Sequence, residues 1–96
     1  MDSLNRAISL YVGWDVSSFP KEDSARVFAA FGSVGDLLVL KVKTLLEELN
    51  GFKVDWSKFD LLAGSEWAVA QLRERHPEID DEGAKALVWI YSWWWK

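Results

Sequence analysis

The chain has no cysteine and a single histidine, His76, among its 96 residues. Without thiols it has neither a disulfide framework nor a thiolate nucleophile. One imidazole cannot complete a zinc site or a serine triad in its usual form. Proline is equally scarce, at two residues, and six glycines are scattered as punctuation, so nothing reads as a linker or low-complexity tract. Charge of one sign is never concentrated: the net charge of −4 is split evenly on either side of Gly51. The nearest approaches to a basic stripe are Lys41 with Lys43 and Arg73 with Arg75, each close to acids, so phosphate-backbone binding is not expected. The longest uncharged runs, Val27 to Gly35 and Ala86 to Trp95, are too short to span a bilayer. Met1 to Arg6 shows no basic stretch leading into an apolar one, and these features together point to a cytoplasmic protein with no cofactor, no nucleic-acid partner and no membrane contact.

What is abundant is apolar and aromatic surface. Half the residues are apolar and seven are tryptophan, four of them (Trp89, Trp93, Trp94 and Trp95) within the last eight positions, where chain ends are usually polar. The length suits one helical domain, 1–96, with a single core.

The periodicity predicts an all-α, single-domain bundle of about five short helices with one extended connector. Leu4, Ala7, Ile8 and Tyr11 share one face of a first helix, capped by Asp2 or Ser3 and ended by Gly13. Pro20 suits the first position of a second helix, with Glu22 and Asp23 in its opening turn and Ala25, Phe28, Ala29 and Phe31 inward, until Gly32 stops it. Ser33, with Asp36 three residues on, is a weak capping box before a third helix over 36–49. There Leu38, Val42, Leu45 and Leu49 form a stripe flanked by Leu37, Leu40 and Leu46, which predicts a central position. Asn50 and Gly51 both tolerate the left-handed conformation of a C-cap.

Phe52 to Trp56 alternates like a strand but has no second run to pair with, and is therefore read as the extended connector. A fourth helix follows over about 60–76, with Leu61, Ala68, Val69 and Leu72 inward and Gly64 as a weak point costing about 1 kcal/mol relative to alanine. Pro77 ends it, and His76 at its C-terminus is placed to meet the helix dipole in a structural rather than a catalytic role. Ile79 and Asp80 then supply staple and cap for a last helix from Asp81 into the tail. Ala84, Leu87, Val88, Tyr91, Trp94 and Trp95 share its main face, widened by Trp89, Ile90 and Trp93.

Candidate chemistry is sparse. Gly32 to Gly35 lacks the lysine–serine sequel of a phosphate loop and reads as a turn between helices. Glu47–Glu48 and Asp80–Asp81–Glu82 do not aim two carboxylates at one substrate. Trp14–Asp15 and Asp55–Trp56 pair an aromatic face with a carboxylate, an arrangement able to hold a cation, although two tryptophans lidding a small core are the simpler explanation. The tail can be helical core, a protein interface or a membrane-surface anchor; acids preceding it disfavour the last, and at least one of Trp93, Trp94 and Trp95 is expected to face outward. Small, acidic, aromatic-rich helical chains without catalytic residues include bacterial immunity and antitoxin proteins, to which this chain is similar in composition alone. The expected function is non-enzymatic protein binding or self-association, as a masking protein or adaptor, through Trp14, Asp15, Asp55, Trp56, Trp89, Trp93, Trp94 and Trp95. The alternative is a small-ligand site in an aromatic pocket between helices.

Overall fold

A computed structural model describes residues 2–14 and 16–96. Among these residues the chain forms five α-helices and no strand: α1 (Ser3–Val12), α2 (Ser24–Phe31), α3 (Gly35–Asn50), α4 (Leu61–Arg75) and α5 (Asp81–Trp95). The Phe52–Trp56 segment is non-helical and unpaired, as an extended connector requires. No helix among the described residues is long and apolar enough to cross a membrane.

Four helix starts follow one rule. Asp2, Asp23, Asp60 and Asp80 are N-caps whose carboxylates accept from a backbone N–H in the first turn, satisfying a donor that has no intrahelical partner. The exception is α3. A single 3-10 turn, Gly32–Val34, runs straight into it, so Ser33 does not cap α3, and Val34 at the cap position makes no side-chain hydrogen bond. Its other end also departs from expectation: the helix continues through Asn50, and Gly51 at φ −81° is right-handed, its N–H returning to the Glu48 carbonyl. The left-handed cap of this fold is Gly13, at φ 89°, closing α1.

Pro20 does not open α2. The Lys21 and Asp23 N–H groups bond back to the Val12 and Tyr11 carbonyls, which ties residues 20–23 as a strap across the end of α1 and delays the helix to Ser24. Arg26 locks this arrangement by donating to the Leu10 and Lys21 carbonyls. The buried residue of α2 is Val27, whereas Ala25, Phe28 and Ala29 are exposed, correcting the expected face. An eight-residue helix held at both ends by loops takes its rotation from those attachments rather than from its own weak pattern.

One contiguous hydrophobic cluster joins all five helices, with Ile8, Val12, Val27, Val42, Leu45, Leu49, Leu72, Ile79, Leu87 and Tyr91 fully enclosed. The most extensive packing is α1 against α5, followed by α4 against α5 and α1 against α3, while α3 touches every other helix. The α1–α5 seam is pinned by a buried polar side chain. Asn5 Nδ2 donates to Asp2 Oδ1 (2.8 Å) and the Glu78 carbonyl (2.9 Å), and its Oδ1 accepts from the Asp80 N–H (2.9 Å). Gly83 lies directly against the Asn5 amide, which leaves no room there for a β-carbon. On α3 the inward residues are Val39, Val42, Leu45, Leu46 and Leu49; Leu38 is half-buried, and Leu37 and Leu40 are not core flanks but exposed. On α4, Leu61 likewise turns outward.

Candidate functional site

The expected binding residues divide into three places. Trp14, in the turn after α1, meets Trp89 of α5 edge-to-face at 5.4 Å, and both line an open groove of about 630 Å³ along the outer side of α5. Leu62, Glu66, Val69, Ala70 and Arg73 of α4 form its other wall, and Ala84, Val88 and Ser92 its floor. These positions recur every three or four residues, so each helix contributes one continuous stripe. Arg73 closes one end, donating through Nε to the Ile79 carbonyl (3.0 Å) and through Nη1 to Asp81 (3.3 Å). The groove rim therefore carries both signs of charge around an apolar floor. The Trp14 indole N–H is buried and has no hydrogen-bond partner among the described residues.

Trp56 and the end of α5 form the second group. Trp56 lies 5.7 Å from Trp95 and 6.5 Å from Tyr91, and Tyr91 in turn stands 6.1 Å from Trp94. The supposed weak point Gly64 is the seat of this cluster: Trp56 and Val54 rest on it so closely that a β-carbon would collide with both. Tyr91 is fully buried, its hydroxyl donating to the Phe52 carbonyl, and burial pushes its phenol above the usual range. The third place is an outer corner, where Trp93 stacks on Phe19 at 5.9 Å and the Lys96 ammonium sits 4.1 Å above its ring.

Trp93 and Trp95 keep 42% and 47% of their surface exposed, and Trp94 is half-buried. Asp55 is spent on its own turn, accepting from the Ser57 N–H and hydroxyl and lying 3.9 Å from Lys58. It is not joined to the Trp14 groove, and Asp15 lies outside the described residues. Sequence reasoning missed the contribution of α4 to the groove and the exposure of Leu37 and Leu40, at 73% and 63% the largest of any big apolar side chains described. The signal for the first was present in the spacing of Leu62, Glu66, Val69 and Arg73, but that stripe mixes apolar and charged residues and resembles an ordinary solvent boundary.

His76 caps α4 and is held between two carboxylates, with Nε2 against Glu48 of α3 and Nδ1 3.6 Å from Glu78. Glu78 is also 3.5 Å from Lys41. Its carboxyl is held below the usual range first by a backbone N–H and then by Lys41 and His76. The cluster ties the C-terminus of α4 to α3. Among the described residues, no group of three potential metal ligands converges. No family model matches the chain, and no curated protein or solved structure matches it.

Proposed function

We propose that this protein is a non-enzymatic binding module that receives an apolar segment of another protein in the groove between α4 and α5. The single observation behind this reading is the form of the groove: open along its length, floored by Ala84 and Val88, walled by Trp14 and Trp89 on one side and by Leu62, Val69 and Ala70 on the other, and edged by Glu66, Arg73, Asp81 and Lys85. Protein-binding surfaces combine an apolar centre with a polar rim, and aromatic side chains anchored at the centre carry most of the binding energy. An apolar stripe flanked by charges of both signs on the partner fits this pattern, in the manner of a helix laid into a groove.

The test compares capture from the native host by the wild type and by Val88→Glu, which puts a carboxylate on the groove floor. A defined partner recovered by the wild type and lost by a Val88→Glu variant of unchanged helicity is the expected result. Equal recovery by both overturns the reading.

The second reading, a small-molecule site in the same groove, is favoured by the unpartnered Trp14 N–H. Against it stands the openness of the groove, since small-ligand sites usually enclose about 70–90% of what they bind. Mass spectrometry of heat-released material from natively purified protein separates the two: a stoichiometric small molecule supports the second reading.

A further inference from the structure

The outer face of α3 carries a second surface, unrelated to the groove. Leu37, Leu40 and Thr44 follow one another at the spacing of a single helical stripe, on the side of α3 opposite Val39, Val42, Leu45, Leu46 and Leu49. Leu37 and Leu40 are the most exposed large apolar side chains described, and Val34 beside them is 55% exposed. The Thr44 hydroxyl is already bonded to the Leu40 carbonyl (2.9 Å), which leaves its methyl to face outward without an unsatisfied donor. Leu37, Leu40 and Val34 thus form a contiguous apolar patch, the kind of surface that marks an interaction site when it is flanked by polar residues.

The charges beside the stripe point to what covers it. Asp36 and Lys43 are exposed, and neither has an ion-pair partner among the described residues. They are two turns apart and lie on the same flank of Leu37 and Leu40. When two helices pack antiparallel, residues on the same flank of each face one another across the seam. A two-fold axis midway between Asp36 and Lys43 therefore brings Asp36 of each copy level with Lys43 of the other, making both ion pairs at once. The same axis passes beside Leu40, so the two Leu40 side chains meet at the centre, and each Leu37 enters the space between Leu40 and Thr44 of the opposite helix. The other flank presents no like-charge conflict, because Lys41 is tied back to Glu78 at 3.5 Å. Glu47 falls level with the Gly32–Ser33 turn of the other copy, where no acid opposes it.

We infer that a second copy of this chain covers the outer face of α3, forming an isologous dimer in which the two α3 helices cross antiparallel about Leu40 and Asp36 pairs reciprocally with Lys43. The surface is self-complementary in shape and charge, as a two-fold interface must be. Its apolar centre is small, which suits a reversible dimer more than an obligate one.

Sedimentation across a concentration series tests the inference, with melting of each variant recorded to confirm folding. The wild type is expected to dimerise below about 100 µM. Leu40→Asp should be monomeric throughout, since it places two carboxylates at the axis. Asp36→Lys and Lys43→Asp should each weaken association by about tenfold or more, and the two changes combined should restore it, because the exchanged charges meet again. As the chain has no cysteine, Leu40→Cys provides a geometric check. Cysteines on the axis should oxidise to a linked dimer, whereas Thr44→Cys, whose sulfurs are displaced by about 13 Å along the helices, should not. A wild type monomeric at about 100 µM overturns the proposal. So does a dimer that survives Leu40→Asp, or one abolished instead by Trp93→Ser with Leu40 intact.

Discussion

The end of α5 and the outer face of α3 both carry large apolar side chains in excess of what the core needs, yet they dispose of that excess differently. In α5 each tryptophan finds another ring: Trp89 meets Trp14, Trp93 meets Phe19, Trp94 meets Tyr91, and Trp95 meets Trp56. On α3, Leu37 and Leu40 point away from every other helix and are more exposed than any of the tryptophans. The difference lies in the neighbours. The loops after α1 and α3 supply Trp14, Phe19 and Trp56 to the α5 end, whereas no element among the described residues covers Leu37 and Leu40 on the outer side of α3. An aromatic-rich terminus can thus be largely self-covered, while two leucines in an unremarkable helix form the more open surface.

Five measurements can break or sharpen this contrast. The largest effect is expected at Tyr91, the enclosed centre of the tail cluster: Tyr91→Ala should cost about 3–5 kcal/mol in chemical denaturation. A loss below about 1 kcal/mol would mean that the end of α5 is not packed as described. Next is Gly64→Ala. In an exposed helix this exchange stabilises, but here the new methyl must displace Trp56 and Val54, so a loss of about 1–3 kcal/mol with a changed near-ultraviolet spectrum is expected. A gain in stability would show that Trp56 does not rest on α4.

Trp93→Ala and Trp95→Ala come third, at about 1–2 kcal/mol each, because roughly half of each indole leaves water. Two neutral results would make the tail as dispensable to the fold as the α3 face. Leu37→Gln and Leu40→Gln should change monomer stability by no more than about 0.5 kcal/mol, measured at concentrations too low for association. Losses comparable to those at Trp93 would dissolve the contrast from the other side.

The smallest effect concerns pH and Glu78, whose carboxyl is held below its ordinary value of 4.5 in the folded chain. The unfolded state then takes up its proton first as acid is added. The contribution of Glu78 is present above about pH 4.5 and fades as pH falls through the lower folded value. Glu78→Gln should lower the melting temperature slightly near neutrality, and the difference from wild type should disappear in acid. A difference that persists undiminished well below pH 4.5 would contradict a Glu78 carboxyl held below its ordinary range.

Helix identity was legible in the chain wherever a strong period met a strong end signal. α1 and α5 begin at aspartates that cap them and Pro77 marks the end of α4, so these positions follow from local chemistry, whereas the start of α4 at the Asp60 cap has no strong apolar period behind it. Local reasoning failed where a remote contact outweighed it. Pro20 reads as a helix start until Lys21 and Asp23 are seen bonded to the end of α1. Gly64 reads as a defect until Trp56 is placed on it. Asn5 carries no sequence signal at all, yet it joins the first and last helices through Glu78, Asp80 and the space left by Gly83.

The candidate surfaces show the same division. Trp14 and Trp89 could be singled out as aromatic residues needing cover, but not that they meet, nor that α4 completes a groove beside them. The wide apolar pattern of α3 pointed to centrality without revealing which leucines it would leave outside, because a helix apolar over much of its circumference does not specify its own rotation.

What the sequence alone determined is therefore the helical class, the caps and breaks that set most boundaries, and the presence of more apolar surface than a small core requires. These depend on neighbours a few residues apart, whose geometry the backbone itself dictates. The tertiary structure decided where the excess goes: against rings from two loops at the end of α5, and into solvent on α3. That outcome depends on contacts between residues distant in the chain, and no period or cap encodes which side of a helix its neighbours will occupy.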